Sequence, residues 1–167
     1  MESEQFYKEK LNFFNFKMFS LLPNLYSKFS FLNNFEDQEL IDFFLFENLN
    51  NFSIEDFCLI IRDNSFNLNF FFNNNFKHIK DIETKRKVIS LLSESPNCLI
   101  RASLAIEPSI EINILLKLSK DKSEVVLEEL ASNPNINKEI FINLKSLNYK
   151  DIELILEQNP SFEKISS

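Results

Sequence analysis

The 167 residues include no glycine, one histidine and two cysteines, and each scarcity removes a class of chemistry. Glycine supplies the left-handed backbone of tight hairpins and lets a main chain approach a phosphate closely. Its absence removes the glycine-dependent nucleotide fingerprints and disfavours a hairpin-rich β fold. His78 has no second imidazole with which to build a metal site, and it reads as a solvated surface side chain. Cys58, between Phe57 and Leu59, reads as a small buried hydrophobe, and Cys98 reads as partly exposed. Two reduced thiols in a cytosol are the simplest account of the pair, with no disulfide expected. Long apolar runs are also lacking: stretches such as Phe57 to Ile61 fall far short of the ~20 residues a membrane-spanning helix needs. The first ten residues carry Glu2, Glu4 and Glu9 and no apolar segment, so a secretory leader is not expected and a cytoplasmic location is.

What is present is a globular composition, 44% hydrophobic and 26% charged, which predicts a folded and soluble chain. Phenylalanine is over-represented, with 18 of its 20 copies between Phe6 and Phe76. Asn, Lys and Ile are abundant as well. All four can be encoded by A and T alone, so an AT-rich genome explains the bias without a dedicated aromatic surface.

The second half repeats itself at an offset of 26 residues, which aligns Pro108, Pro134 and Pro160. Apolar residues then fall into columns: Val88, Ile114 and Ile140; Leu92, Leu118 and Leu144; Ile100, Val126 and Ile152; Leu104, Leu130 and Leu156. Ile114 and Leu118 are four apart, as are Val126 and Leu130, so each pair shares one helix face. One unit therefore predicts two short helices, about Ile112 to Ser119 and Glu124 to Ala131. Ser109, Asn135 and Ser161 are their candidate caps, and proline ends the second helix. A two-helix unit cannot bury its own apolar face, so units must stack. In the first half, Glu36 to Leu49 and Ser53 to Arg62 read as helices, and the Asn-rich stretches 48–51 and 73–75 as turns.

The segment Leu130-Ala-Ser-Asn-Pro-Asn135, followed by Lys138-Glu139-Ile140 and Leu144, resembles the leucine-rich variant repeat family. The resemblance covers about Val88 to Ile165. It implies a right-handed superhelix of alternating α and 3₁₀ helices, similar in style to HEAT arrays. Two departures stand out: the unit is slightly long, and Ile136-Asn137-Lys138 replaces the usual Thr-Pro-Pro. The iron–sulfur cluster of the family's founding member does not carry over, because four thiolates are normally needed and this chain has two cysteines. The expected fold is thus all-α, a right-handed α-solenoid of two-helix repeats of about 26 residues. Residues 88–165 form the repeats, and residues 1–87 form a Phe/Asn-rich helical region of diverged or capping repeats.

No catalytic, metal or cofactor-binding residue is expected. Carboxylate pairs such as Glu36-Asp37 and Glu128-Glu129 read as helix surface. The expected function is a non-enzymatic adaptor that holds a protein partner. The alternative is nucleic-acid binding through residues 77–101, which carry six basic and three acidic side chains in a chain of net charge −7. An enzyme of unrecognised type comes third. A membrane-surface role for Leu11 to Leu32 is disfavoured by Pro23 and by a thin cationic face of Lys17 and Lys28. Far-ultraviolet circular dichroism is expected to show a helical protein despite the strand-favouring Phe and Ile, and substantial strand signal would break the helical reading.

Overall fold

A computed structural model describes residues 2–11, 13–34, 37–62 and 75–161. Asn73, Asn74, Phe162 and Ile165 lie outside them. The described residues are all-helical and contain no strand. Five helices precede the repeats: α1 (Glu2–Lys10), α2 (Phe13–Leu21), α3 (Leu25–Asn33), α4 (Gln38–Asn48) and α5 (Ile54–Arg62). A 3₁₀ turn, Phe76–His78, leads into α6 (Ile82–Leu92), α7 (Cys98–Ile106), α8 (Ile112–Leu118), α9 (Glu124–Ala131), α10 (Lys138–Lys145) and α11 (Lys150–Gln158). Both helices of each 26-residue unit are α-helices, not the alternation of α and 3₁₀ that the resemblance implies. Seven to eleven residues exceed the run that 3₁₀ geometry sustains.

Capping polar groups set several helix starts. Asn24, Asp37, Asp81, Asn97 and Asn137 accept backbone N–H groups of the first turns of α3, α4, α6, α7 and α10. Ser53 and Asp56 cap α5 reciprocally, each side chain taking the other residue's N–H (2.9 and 3.1 Å). The expected caps after the prolines are displaced. Glu111 and Asn137 precede α8 and α10, whereas the N–H groups of Ser109, Asn135 and Ser161 donate back to side chains two residues earlier. Two residues separate Pro108 from the N-cap position Glu111 and Pro134 from the N-cap position Asn137, so the residue beside the proline is too far away to cap.

Helix ends are managed without glycine. Ser93, Ser119 and Ser146 close α6, α8 and α10, each hydroxyl donating to the carbonyl three residues back (2.7 to 2.8 Å). One described residue has positive φ, Asn148 at 55°. Helix α10 runs one residue longer than α8 at the same 26-residue offset, so its following turn is one residue shorter and needs left-handed backbone. Asn tolerates that conformation better than most residues.

Core columns behave as the spacing predicts, with Val88, Leu92, Ile100, Leu104, Leu118, Val126, Leu130, Ile140, Leu144, Ile152 and Leu156 buried and Ile114 partly so. Ala105 and Ala131, both fully buried, bring α7 and α9 close together. Helix α9 also packs on α11, and α10 contacts both α8 and α11. In the first half Phe19, Phe29, Phe44, Phe52 and Phe57 are buried, with Phe52 and Phe57 rings 5.5 Å apart. Tyr7 donates its hydroxyl to Glu47 (2.9 Å), tying α1 to α4. Helix α5 packs on α6, so one cluster of buried residues runs from Tyr7 to Leu156.

Polar bridges join successive units. The Asn133 amide donates to the carbonyls of Ala105 (2.7 Å) and Glu107 (3.2 Å), while its oxygen accepts from Asn135 N–H (2.8 Å). One unit later, Asn159 donates to Ala131 (2.6 Å) and Asn133 (2.8 Å) and accepts from Ser161 N–H (2.7 Å). Side chains two residues further on add a second link, Asn135 to the Pro108 carbonyl and Ser161 to that of Pro134. A separate pair of bridges joins first helices, Lys117 to the Ser93 hydroxyl (3.2 Å) and Asn143 to that of Ser119 (2.9 Å).

Two substitutions test this packing by urea unfolding. Leu130→Ala removes a fully buried side chain and is expected to cost roughly 2 to 5 kcal/mol. Asn133→Ala leaves buried carbonyls without a donor and should cost about 1 to 3 kcal/mol, whereas a neutral result would show that the bridge carries no stability.

Candidate functional site

The groups that carry chemistry most often are dispersed here. His78 is exposed in the 3₁₀ turn with its ring steeply inclined to that of Phe46, centroids 6.1 Å apart, and Cys58 and Cys98 are half-buried free thiols. Cys58 is therefore less covered than its flanking residues suggest. No group of three or more His, Cys, Asp or Glu that could hold a metal occurs among the described residues. Glu36 lies outside them, Asp37 is occupied as the cap of α4, and Glu128 and Glu129 are half-exposed on α9.

The basic segment 77–101 is largely neutralised from outside itself. Lys77 pairs with Glu107 at 2.5 Å, Arg86 with Glu111 at 2.9 Å and with Glu83 at 3.3 Å, and Arg101 with Asp121 at 2.6 Å. Lys85 donates to the Lys77 carbonyl (2.9 Å). Among the described residues, Lys80 and Lys87 are the cations of this segment that make neither contact. A local excess of positive charge in the sequence thus becomes a set of ion pairs reaching 20 to 30 residues along the chain.

Arg101 and Asp121 form the most enclosed of these pairs, with side chains 16% and 9% exposed. The guanidinium meets both carboxylate oxygens and also the Ser95 carbonyl (2.6 Å), while Asp121 accepts the N–H of Ser123 ahead of α9. The Arg101 hydrogen bond outweighs burial and holds the Asp121 carboxyl below its ordinary range; the same bond raises Arg101. Glu107 is pushed up by burial but is brought below its ordinary value by Lys77 and Ser109. These groups hold adjoining units together, and their geometry offers structure, not a reaction.

Once the helices are paired, charge separates by layer. First helices α6, α8 and α10 carry six cations (Lys85, Arg86, Lys87, Lys117, Lys138, Lys145) and two carboxylates (Glu83, Glu139). Second helices α7, α9 and α11 carry six carboxylates (Glu124, Glu128, Glu129, Asp151, Glu153, Glu157) and two cations (Arg101, Lys150). None of these six carboxylates forms an ion pair among the described residues. Beside them Leu99, Val125 and Leu154 are 51%, 41% and 48% exposed. Leu99 and Val125 occupy one column of the repeat, so two packed neighbours each turn an aliphatic side chain to solvent. A hollow on this side is bordered by Glu124, Glu128, Tyr149, Lys150 and Asp151.

Sequence reasoning missed both the segregation of charge and the amide bridges, although the 26-residue recurrence of Asn133 and Asn159 is a signal that could have found the latter. Comparison with protein-family models, curated proteins and solved structures finds no match to this chain.

Asp121 makes stability depend on pH in a defined direction. Its folded-state pKa is lowered, so the pair's contribution is complete above the unfolded carboxylate value of about 3.9 and is lost as pH falls through the folded value. Asp121→Asn should cost about 1 to 3 kcal/mol at neutral pH by leaving Arg101 without its charged partner. The gap from wild type should shrink below about pH 4. A gap that stays constant down to acid pH in thermal melts would contradict the assignment.

Proposed function

We propose that this chain is a non-enzymatic protein-binding adaptor, an α-solenoid whose two-helix units are similar to leucine-rich variant repeats. One observation carries the reading: Leu99, Val125 and Leu154 are exposed on consecutive second helices that pack side by side. Leu99 and Val125 stand at equivalent positions of the repeat, and Leu154 lies three residues beyond the third such position, Asp151; an outer surface of this kind can change its specificity without disturbing the buried columns beneath it. The fold class limits this reading little, because repeat folds host several functions.

Nucleic-acid binding is the competing reading, and the ion pairs of Lys77, Arg86 and Arg101 count against it. No helix among the described residues is long and apolar enough to cross a membrane. Reversing Arg86 would crowd Glu83 and Glu111, so the cleaner variant is Lys80→Glu with Lys87→Glu. The adaptor is expected to bind duplex or single-stranded nucleic acid weakly at physiological salt. Affinity purification from the host should recover the same proteins with and without nuclease, from wild type and variant alike. Tight nucleic-acid binding that falls steeply with salt and collapses in the variant would replace the adaptor reading.

A further inference from the structure

We infer that the outward face of α7, α9 and α11 is a docking surface for a cationic amphipathic helix of another protein. This rests on the adaptor reading and adds the chemistry of the partner. The face combines exposed aliphatic side chains (Leu99, Val125, Leu154) with carboxylates that form no ion pair among the described residues (Glu124, Glu128, Asp151) and that border, together with Lys150, the hollow between α9 and α11. An amphipathic helix presents an apolar stripe flanked by charge, so lysines or arginines beside that stripe would meet these carboxylates. Charge complementarity favours a foreign partner over a second copy. The opposite layer of this chain is cationic, but Arg86 and Lys117 already pair with Glu111 and Glu94, and Lys85 is held by a carbonyl. Lys87, Lys138 and Lys145 of that layer form no ion pair among the described residues, against six such carboxylates on the second helices, so the larger share of uncommitted charge lies on the acidic face. Like-charged partners, nucleic acid among them, are disfavoured there.

The test uses two synthetic peptides of about 18 residues with leucines at helical spacing, one flanked by lysines and the other by glutamates. Binding to the full chain is read by fluorescence anisotropy at about 150 mM salt. The lysine peptide should bind and the glutamate peptide should not, a comparison that needs no variant. Glu124→Gln, Glu128→Gln and Glu129→Gln together should weaken the lysine peptide by about tenfold or more, and Leu99→Ser with Val125→Ser should weaken it as well. Lys85→Gln with Lys87→Gln on the other layer should leave it unchanged. Melting temperature and circular dichroism accompany each variant, because Lys85, Glu128 and Glu129 are half-exposed and not fully solvent-facing.

Equal binding of both peptides, no binding of either, or affinity indifferent to the three glutamine substitutions would overturn the proposal. So would concentration-dependent self-association in sedimentation that those substitutions abolish, because it would assign the face to a second copy. If the peptides fail while host proteins are still recovered, the adaptor reading stands and this surface alone is wrong. If host recovery fails while the lysine peptide binds as described, the surface stands and the adaptor reading loses its support.

Discussion

The buried amides of Asn133 and Asn159 are the constraint on which the repeat region depends. Each reaches back into the preceding unit with two N–H donors and accepts one N–H from its own turn, so three backbone groups are satisfied by one side chain. Apolar contacts alone would let neighbouring helices slide, because dispersion and burial are not directional. A hydrogen-bonded amide with no water to fall back on permits one register. Glu107 holds the equivalent place one unit earlier and keeps the accepting half of the pattern, taking the Ser109 N–H, while Lys77 meets its other oxygen. A carboxylate cannot donate as the amide does, so the backward bridge is absent at that point.

Register fixed in this way decides what the outer side chains meet. Lys117 and Asn143 reach the Ser93 and Ser119 hydroxyls because their helices are held one unit apart, and those same serines end helices in a chain without glycine. The serines thus serve local termination and the contact between units together. Arg101 and Asp121 do a comparable double task at the opposite turn, closing the unit boundary while Asp121 organises the approach to α9.

Separation of charge between layers follows from the same arrangement and bears most directly on function. A chain of net charge −7 has a strongly cationic stretch, yet folding sets much of that stretch against carboxylates. What remains uncommitted lies mainly on the second helices, interleaved with aliphatic side chains. That combination selects partners by charge and apolar spacing.

The helical units, their 26-residue register and their buried columns were legible in the residues themselves, because burial on a helix obeys a period that one dimension records. Helices α8 and α9 begin where that period places them. The roles of Asn133, Asp121 and Arg86 were not legible in this way. Each role depends on a partner 20 to 28 residues away, and no local pattern distinguishes an amide that bridges two units from one that meets water. The sequence by itself determined that this chain forms paired helices with a continuous apolar side. Tertiary structure decided which polar groups are used up in holding the pairs together and which are left facing outward, because that depends on distances in space.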